Sequence, residues 1–279
     1  MWNSGRIAKF PTPRFVLGLT LSGTIALALG LAAFAQNTAS SKSEPAKGKA
    51  HAAATPDFTG VWRRSRSAPD KTRKYTIYDL AFTISSDPPP MTPWAAAKYK
   101  ANLPNLGPRA VSLGESNDPI AQCFPPGVPR VYLIRGEPIE IVQIPGRVLI
   151  IYEYDHFIRN VYTDGRSHPA EPNPSWMGDS IGTWDGDTLI VDTIGFNDKT
   201  WLDNDGHPHS EDLHVEERFH RASHDLLNID VTIDDDKAYT KPWKARWNYE
   251  LKPGWNLGEM VCEDNITYGD MQQKSEGTK

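Results

Sequence analysis

The 279-residue sequence predicts an all-β fold, in which an antiparallel meander of strands closes into a barrel. Two observations support this prediction. Short segments that alternate apolar and polar residues follow one another through the second half of the chain, and turn dipeptides such as Pro145-Gly146 and Asp185-Gly186 separate several of them. A meander of about eight to ten strands has to curl, and closure removes its exposed edges.

The first 35 residues have the pattern of a secretory signal peptide. Three basic residues precede an apolar run over 15–35, which ends in the small residues Ala33 and Ala35. The alternative is an uncleaved membrane anchor, because the run is long enough to span a bilayer. We therefore expect a periplasmic or secreted protein that is not inserted in a membrane once the signal is removed.

Composition divides the rest of the chain into three parts. Residues 36–56 lack large apolar side chains and are predicted to be a disordered linker, 57–263 form a single barrel-like domain, and 264–279 are a polar tail. Without residues 1–35 the chain has 27 Lys and Arg against 35 Asp and Glu, a net charge of about −8. An acidic chain without a basic stripe argues against nucleic acid or an anionic membrane as a partner.

The two cysteines, Cys123 and Cys262, both lie in the part predicted to be exported. An even pair in an oxidising compartment favours a disulfide, which would close a loop of about 140 residues. Two buried free thiols are the alternative.

A proline-rich region precedes the strands, over about 67–129. It can hold one short helix over 92–102, where Pro93 suits the first turn and the alanines that follow favour a helix. The remainder is predicted to be a long loop, and such loops often line binding sites.

The strands follow in order. They are predicted over 140–144, 147–154, 156–162, 180–184, 188–194, 213–221, 226–233 and 241–251, with 259–262 as a possible last edge. In the segment 226–233 Leu227 and Ile229 alternate with polar residues, and in 241–251 Trp243 and Trp247 do the same. Each of these strands therefore has one buried and one solvated face.

The opening of the domain resembles that of lipocalin-type barrels, because Gly60 and Trp62 form a G-x-W element at the predicted first strand. That resemblance implies a Trp that plugs the closed end of a barrel. Three longer segments resemble a family of predicted exported bacterial proteins: YEYDHFIRNVYTDGRSHP, WMGDSIGTWDGDTLIVDTIGFND and HPHSEDLHVEERF. The family resemblance implies no catalytic assignment.

A histidine cluster is one candidate site. His207, His209 and His214 with one carboxylate could supply the three or four ligands that a divalent ion such as zinc needs, and manganese or copper would also suit them. The alternative is a set of loop histidines in a polar turn. Asp203-x-Asp205-Gly206 is only a partial match to a calcium loop.

Glu217 is a candidate buried carboxylate. It shares a strand face with Val215 and Phe219, so it lies inside the barrel if they do. A buried carboxylate must be paired, bound to a metal or protonated. Glu217 is therefore either a general acid or base, or one half of a structural ion pair, with Arg221 as the expected partner.

Further candidates come from polar and aromatic residues in strand contexts. His156 could shuttle a proton, Arg159 could hold a charged substrate group, and Asp192 lies between isoleucines as a second candidate buried carboxylate. The aromatic residues predicted to bind substrate are Tyr152, Tyr154, Trp176, Trp201 and Trp247.

Together these residues favour an exported enzyme that performs acid/base chemistry, a lyase or hydrolase, on a small organic or sugar-derived substrate. Glu217 and His156 would be its acid/base pair, with or without a metal ion. The alternative is a lipocalin-like carrier of a hydrophobic small molecule, and a structural envelope protein is a third possibility. The sequence holds no G-x-S-x-G, C-x-x-C, P-loop or dinucleotide-binding motif.

Overall fold

The computed structural model describes residues 55–65, 83–84, 88–134 and 138–263. The predicted signal peptide over 1–35, nearly all of the predicted linker and the predicted tail over 264–279 lie outside the described residues.

Nine strands form a closed barrel in which neighbours in the chain are neighbours in the sheet and the last strand pairs with the first. They are β1 (Gly60–Arg64), β2 (Ile139–Ile144), β3 (Arg147–Tyr152), β4 (Ile158–Tyr162), β5 (Asp179–Asp185), β6 (Thr188–Ile194), β7 (His214–Ser223), β8 (Leu226–Asp234) and β9 (Trp243–Leu251). The prediction of an all-β closed barrel is therefore confirmed.

One pair of strands departs from the predicted antiparallel meander. β4 and β5 run parallel, and Val161 pairs with Ser180. Each antiparallel pairing reverses the strand direction, so a closed ring of nine strands requires at least one parallel pair. The long connection over 163–178 supplies the crossover that a tight hairpin could not.

Two local predictions differ from the structure. The hairpin between β5 and β6 turns at Gly186 and Asp187, one residue later than predicted, because Asp185 still pairs with Thr188. The segment 259–262 is not a strand, and only an isolated bridge joins Met260 to Tyr154.

The predicted helix is present as α1 (Pro93–Ala101). The side chain of Thr92 caps its N-terminus by accepting a hydrogen bond from the backbone N–H of Ala95. Two short 3-10 helices, Pro119–Gln122 and Arg130–Leu133, interrupt the long loop that follows.

The barrel interior is filled by side chains. Leu227 and Ile229 of β8 are fully buried, which confirms the predicted facing of that strand. All four residues of the 3-10 helix Arg130–Leu133 are buried as well, and Tyr132 packs against Trp247 and Tyr249 of β9. The long loop therefore sends one turn into the barrel core.

The tryptophan of the G-x-W element belongs to the buried core. Trp62 is fully buried, and its indole N–H donates to the carbonyl of Phe58 at 2.8 Å. The guanidinium of Arg221 lies 5.2 Å from the ring centroid of Trp62 and donates to the backbone carbonyls of Asp57 and His224. Arg221 thus contacts the buried tryptophan and links it to two backbone segments.

The predicted disulfide is present between Cys123 and Cys262, which are 139 residues apart in the chain. It joins the long loop before β2 to the segment that follows β9. Cys262 also packs in a small second cluster with Ile134 and Tyr154.

No helix in the part of the chain that the structure describes is long and apolar enough to cross a membrane.

Candidate functional site

The connection between β6 and β7 is the most buried loop that the structure describes. Ten consecutive residues, 201–210, are all buried, and more than half of them are polar. Buried polar groups are costly unless they form hydrogen bonds, so the contacts of this loop show which groups are fully satisfied and which are not.

Asp203 organises the first half of this loop. Its Oδ1 accepts hydrogen bonds from the backbone N–H groups of Asp205 and His207, both at 3.1 Å, and its Oδ2 lies 2.6 Å from His207 Nδ1. Burial opposes both charges, but the attraction between the two side chains outweighs it, which raises the pKa of His207 and lowers the pKa of Asp203. His207 is therefore one half of a buried ion pair.

Helix α1 is fastened to the same loop. Asn102 Nδ2 donates to the carbonyl of Gly206 at 2.8 Å, and Tyr99 Oη donates to Asp205 Oδ2 at 2.5 Å. The Tyr99 ring also stacks on the His207 ring with a centroid distance of 4.6 Å. These contacts hold the helix in a fixed position beside the loop.

His209 differs from the other buried histidine. It is 3% exposed, and its Nδ1 lies 2.9 Å from the carbonyl oxygen of Ser210. Because a carbonyl can only accept, Nδ1 is the donor, and Nε2 of the neutral ring carries the lone pair. Nε2 has no hydrogen-bond partner among the described residues. Burial lowers the pKa of His209, so the ring is neutral near pH 7.

A cleft of about 110 Å³ lies between α1 and this loop. Helix α1 supplies Trp94 and Lys98 to its lining, and the loop supplies Lys199, Trp201 and His209. The cleft thus combines two indole rings with two ammonium groups, the carboxylate of Asp198 and a neutral imidazole, so most of its lining residues are polar or charged.

The interior carboxylate of the barrel is Glu217, as the strand pattern predicts, and it is fully buried. Its partner is Arg159 of β4, not the expected Arg221. Arg159 Nη1 and Nη2 each donate to one oxygen of Glu217. The other three N–H donors of Arg159 reach Ser180 Oγ at 3.0 Å, Tyr132 Oη at 3.0 Å and Thr193 Oγ1 at 2.8 Å.

All five donors of the Arg159 guanidinium are therefore satisfied within the barrel. Burial and the charge of Glu217 raise the pKa of Tyr132 well above its usual value, so the phenol stays neutral beside the pair. These contacts favour the structural ion pair over the catalytic interpretation of Glu217 and Arg159.

His156 is not among the hydrogen-bond partners of Glu217, whose two oxygens accept from Arg159. It is exposed in the turn between β3 and β4, with Nε2 3.1 Å from the carbonyl of Gly258. In the same turn Glu153 accepts from the N–H of Gly258 at 2.6 Å, and Asp155 accepts from that of Cys262 at 2.7 Å. This turn fixes the segment that follows β9.

The prediction that Asp192 is buried is wrong. Leu189, Val191 and Thr193 of β6 point inward, so Asp192 lies on the outer face with its side chain 44% exposed. It bridges His168 Nε2, at 3.0 Å, and His214 Nε2, at 2.9 Å.

His168 extends this chain of contacts on the outer face, because its Nδ1 lies 2.6 Å from Asp179 Oδ1. The imidazole joins the crossover connection to β5 and β6 and fastens the connection to the barrel wall. No sequence motif surrounds His168, so its role could not be predicted from the sequence.

The three histidines predicted to bind a metal have separate partners. His207 pairs with Asp203, His209 bonds to Ser210, and His214 pairs with Asp192. Within the described ranges no group of three His, Cys, Asp or Glu side chains could hold a metal ion. The predicted ligand set is thus not assembled.

The aromatic residues expected to bind substrate are spread over the molecule. Tyr152 and Trp247 belong to the barrel core, Tyr154 packs near the disulfide, and Trp176 stacks on Phe124 with centroids 5.6 Å apart. Only Trp201 lines the cleft.

The cleft also contains residues that sequence analysis did not single out: Trp94, Lys98 and Lys199. The sequence offered one indication of this site, the prediction that the long loop lines a binding site. That prediction places α1 near a site but does not identify the residues of the site.

Comparisons with known proteins identify no relative. No protein-family model, no curated protein and no solved structure matches the chain. The function must therefore be inferred from the fold and the cleft.

Proposed function

We propose that the protein is an exported enzyme that performs acid/base chemistry, as a lyase or hydrolase, on a small organic molecule bound in the cleft beside α1. The observation that carries the proposal is the state of His209, a residue of the cleft lining whose Nδ1 is fixed and whose Nε2 is buried and unpaired among the described residues. A neutral imidazole that is held in one tautomer and is near a cleft is suited to act as a general base.

The surroundings of His209 support this role. Asp198 lines the same cleft, and its negative charge acts to raise the pKa of His209 against the larger effect of burial. A carboxylate near the ring stabilises the imidazolium that forms when Nε2 accepts a proton. The charges of Asp235 and Asp198 would therefore assist the base, although neither carboxylate forms a hydrogen bond with the ring.

The proposed location outside the cytoplasm is based on the N-terminal pattern and on the disulfide. Residues 1–35 have the composition of a signal peptide, and Cys123 is bonded to Cys262. The resemblance to a family of predicted exported bacterial proteins agrees with this placement.

The alternative of a carrier that holds its ligand inside the barrel receives less support. Tyr132, Arg159 and Glu217 occupy the interior and bond to one another. A lipocalin-like ligand would have to displace a fully bonded ion pair, which costs several kcal/mol, on the order of 3–5.

The proposal can be tested without knowledge of the substrate. The exported protein is incubated in D₂O with a panel of small carbonyl compounds, hydroxy acids, esters and sugars, and NMR records deuterium exchange or consumption. His209→Asn keeps a donor for the Ser210 carbonyl but removes Nε2. We expect it to reduce turnover by about 100-fold or more.

The matched control is His224→Asn, because His224 is 79% exposed in the turn between β7 and β8. It should leave turnover unchanged. Thermal unfolding of both variants checks that the fold is intact. The proposed function would be contradicted if the wild type consumed or exchanged no compound of the panel faster than His209→Asn does.

A further inference from the structure

We infer that the cleft beside α1 binds a short-chain carboxylate, of about two to four carbon atoms, by its negative charge. The inference depends on the proposed function only for the location of the site. It adds the chemical class of the ligand, and three sets of observations lead to it.

The first observation is a concentration of ammonium groups. Lys98 and Lys199 line the cleft, and Lys237 lies 5.1 Å from the ring centroid of Trp94 in the cleft wall. None of the three forms an ion pair with a carboxylate of the described residues, although the whole chain has 35 Asp and Glu against 30 Lys and Arg. An acidic protein that collects unpaired positive charge at one cleft attracts anions there.

The second observation is how two of these charges are positioned. The Lys98 ammonium lies 5.8 Å from the Trp94 ring centroid, and Lys237 approaches the same ring. Cation–π contacts restrict long lysine side chains that would otherwise move freely in water. Trp94 therefore holds positive charge beside the cleft, instead of offering an open face for a ring to stack on.

The third observation is size. A cleft of about 110 Å³ is well below the 300–1,000 Å³ of pockets for drug-sized ligands. A short carboxylic acid therefore suits this cleft better than a drug-sized ligand does.

The remaining lining groups complement such an acid. Asn102 and Thr200 provide neutral polar edges, and the only carboxylate of the lining is Asp198 against two lysines. With a carboxylate held by the ammonium groups, the neutral His209 is left to accept a proton from a hydroxyl or a C–H of the same molecule.

The experiment titrates the isotope-labelled exported protein with propionate, propionamide and inorganic phosphate at low salt and follows the indole N–H signals of Trp94 and Trp201 by NMR. We expect propionate to shift these signals and propionamide to bind at least about 5-fold more weakly. In the double variant Lys98→Gln, Lys199→Gln the binding of propionate should be weaker by a similar factor. Added salt should do the same.

Lys244→Gln is the matched control, because Lys244 is an exposed lysine on the outer face of β9. It should leave propionate binding unchanged. All three lysines in these variants are exposed, so the substitutions should not affect folding.

Three outcomes would overturn the inference. The first is that propionamide shifts the indole signals as much as propionate does, and the second is that phosphate shifts them while propionate does not. The third is that neither propionate nor propionamide shifts them. The proposed function is decided separately by the turnover assay with His209→Asn. Propionate that binds without any His209-dependent turnover would support the anion site and reject the enzyme.

Discussion

At the scale of single residues, the alternation of a strand predicts which side of the barrel a side chain occupies but not its partner. Glu217 lies inside, as Val215 and Phe219 require. Its partner Arg159 is 58 residues away in the chain, and only the closure of the barrel brings the two together. For Asp192 the predicted side of the strand is wrong, because the isoleucines on either side of it lie on the half-exposed outer face of β6.

Substitution of Glu217 tests the structural role of the pair. Glu217→Gln leaves the guanidinium of Arg159 buried without its counter-charge, and we expect the free energy of unfolding to fall by about 3–5 kcal/mol. Glu216→Gln, one residue earlier on the outer face, should change it by less than about 0.5 kcal/mol. Urea unfolding measures both. Equal stability of the two variants would refute a structural pair.

The buried pair of Asp203 and His207 gives a pH dependence. The pKa of His207 is raised, so its contribution to stability is present below the usual histidine value and is lost as the pH rises through the folded pKa. The pKa of Asp203 is lowered, so its contribution is present above the usual aspartate value and is lost as the pH falls through the folded pKa.

The difference in unfolding free energy between the wild type and His207→Gln should therefore be greatest near about pH 5.5 and should shrink towards about pH 8.5. His224→Gln, at an exposed histidine, should show a difference near zero throughout. Denaturant unfolding over this pH range provides the comparison. A His207→Gln difference that does not vary with pH would exclude the charged pair.

At the scale of elements, the strands and helix α1 follow from local patterns, whereas the connections do not. The period of two and the turn dipeptides place most strands to within a few residues, and Thr92 with Pro93 marks the start of α1. The sequence predicts catalytic residues in the polar turn between β3 and β4. Its contacts with Gly258 and Cys262 instead fix the segment after β9.

The disulfide and this turn hold that segment together. Replacing both Cys123 and Cys262 by serine removes a link that closes 139 residues, and we expect a loss of about 2–5 kcal/mol in unfolding free energy. Hydrogen exchange should rise first over 257–263. A reducing agent should reproduce the effect in the wild type and should have none on the double variant. Unchanged exchange in this segment would show that the turn alone holds it.

At the scale of the whole molecule, the closed barrel could be predicted because alternation and edge closure are general requirements. The parallel pair of β4 and β5 could not, since it depends on the strand count being odd. The cleft depends on the packing of α1 against a loop about one hundred residues later, as in the bond from Asn102 to Gly206. The sequence predicts His209 as a metal ligand, and only the fold shows that its buried Nε2 has no partner among the described residues.

The central claim is that His209 is a neutral imidazole whose buried Nε2 has no partner among the described residues and is the proton acceptor of the proposed reaction. Long-range ¹H–¹⁵N NMR of the histidine rings, with His209 assigned by His209→Asn, measures tautomer and titration together. We predict a proton on Nδ1 alone at pH 7 and a pKa below the usual value of 6.5, because the ring is buried. An imidazolium at pH 7, or a neutral ring with its proton on Nε2, would contradict the account.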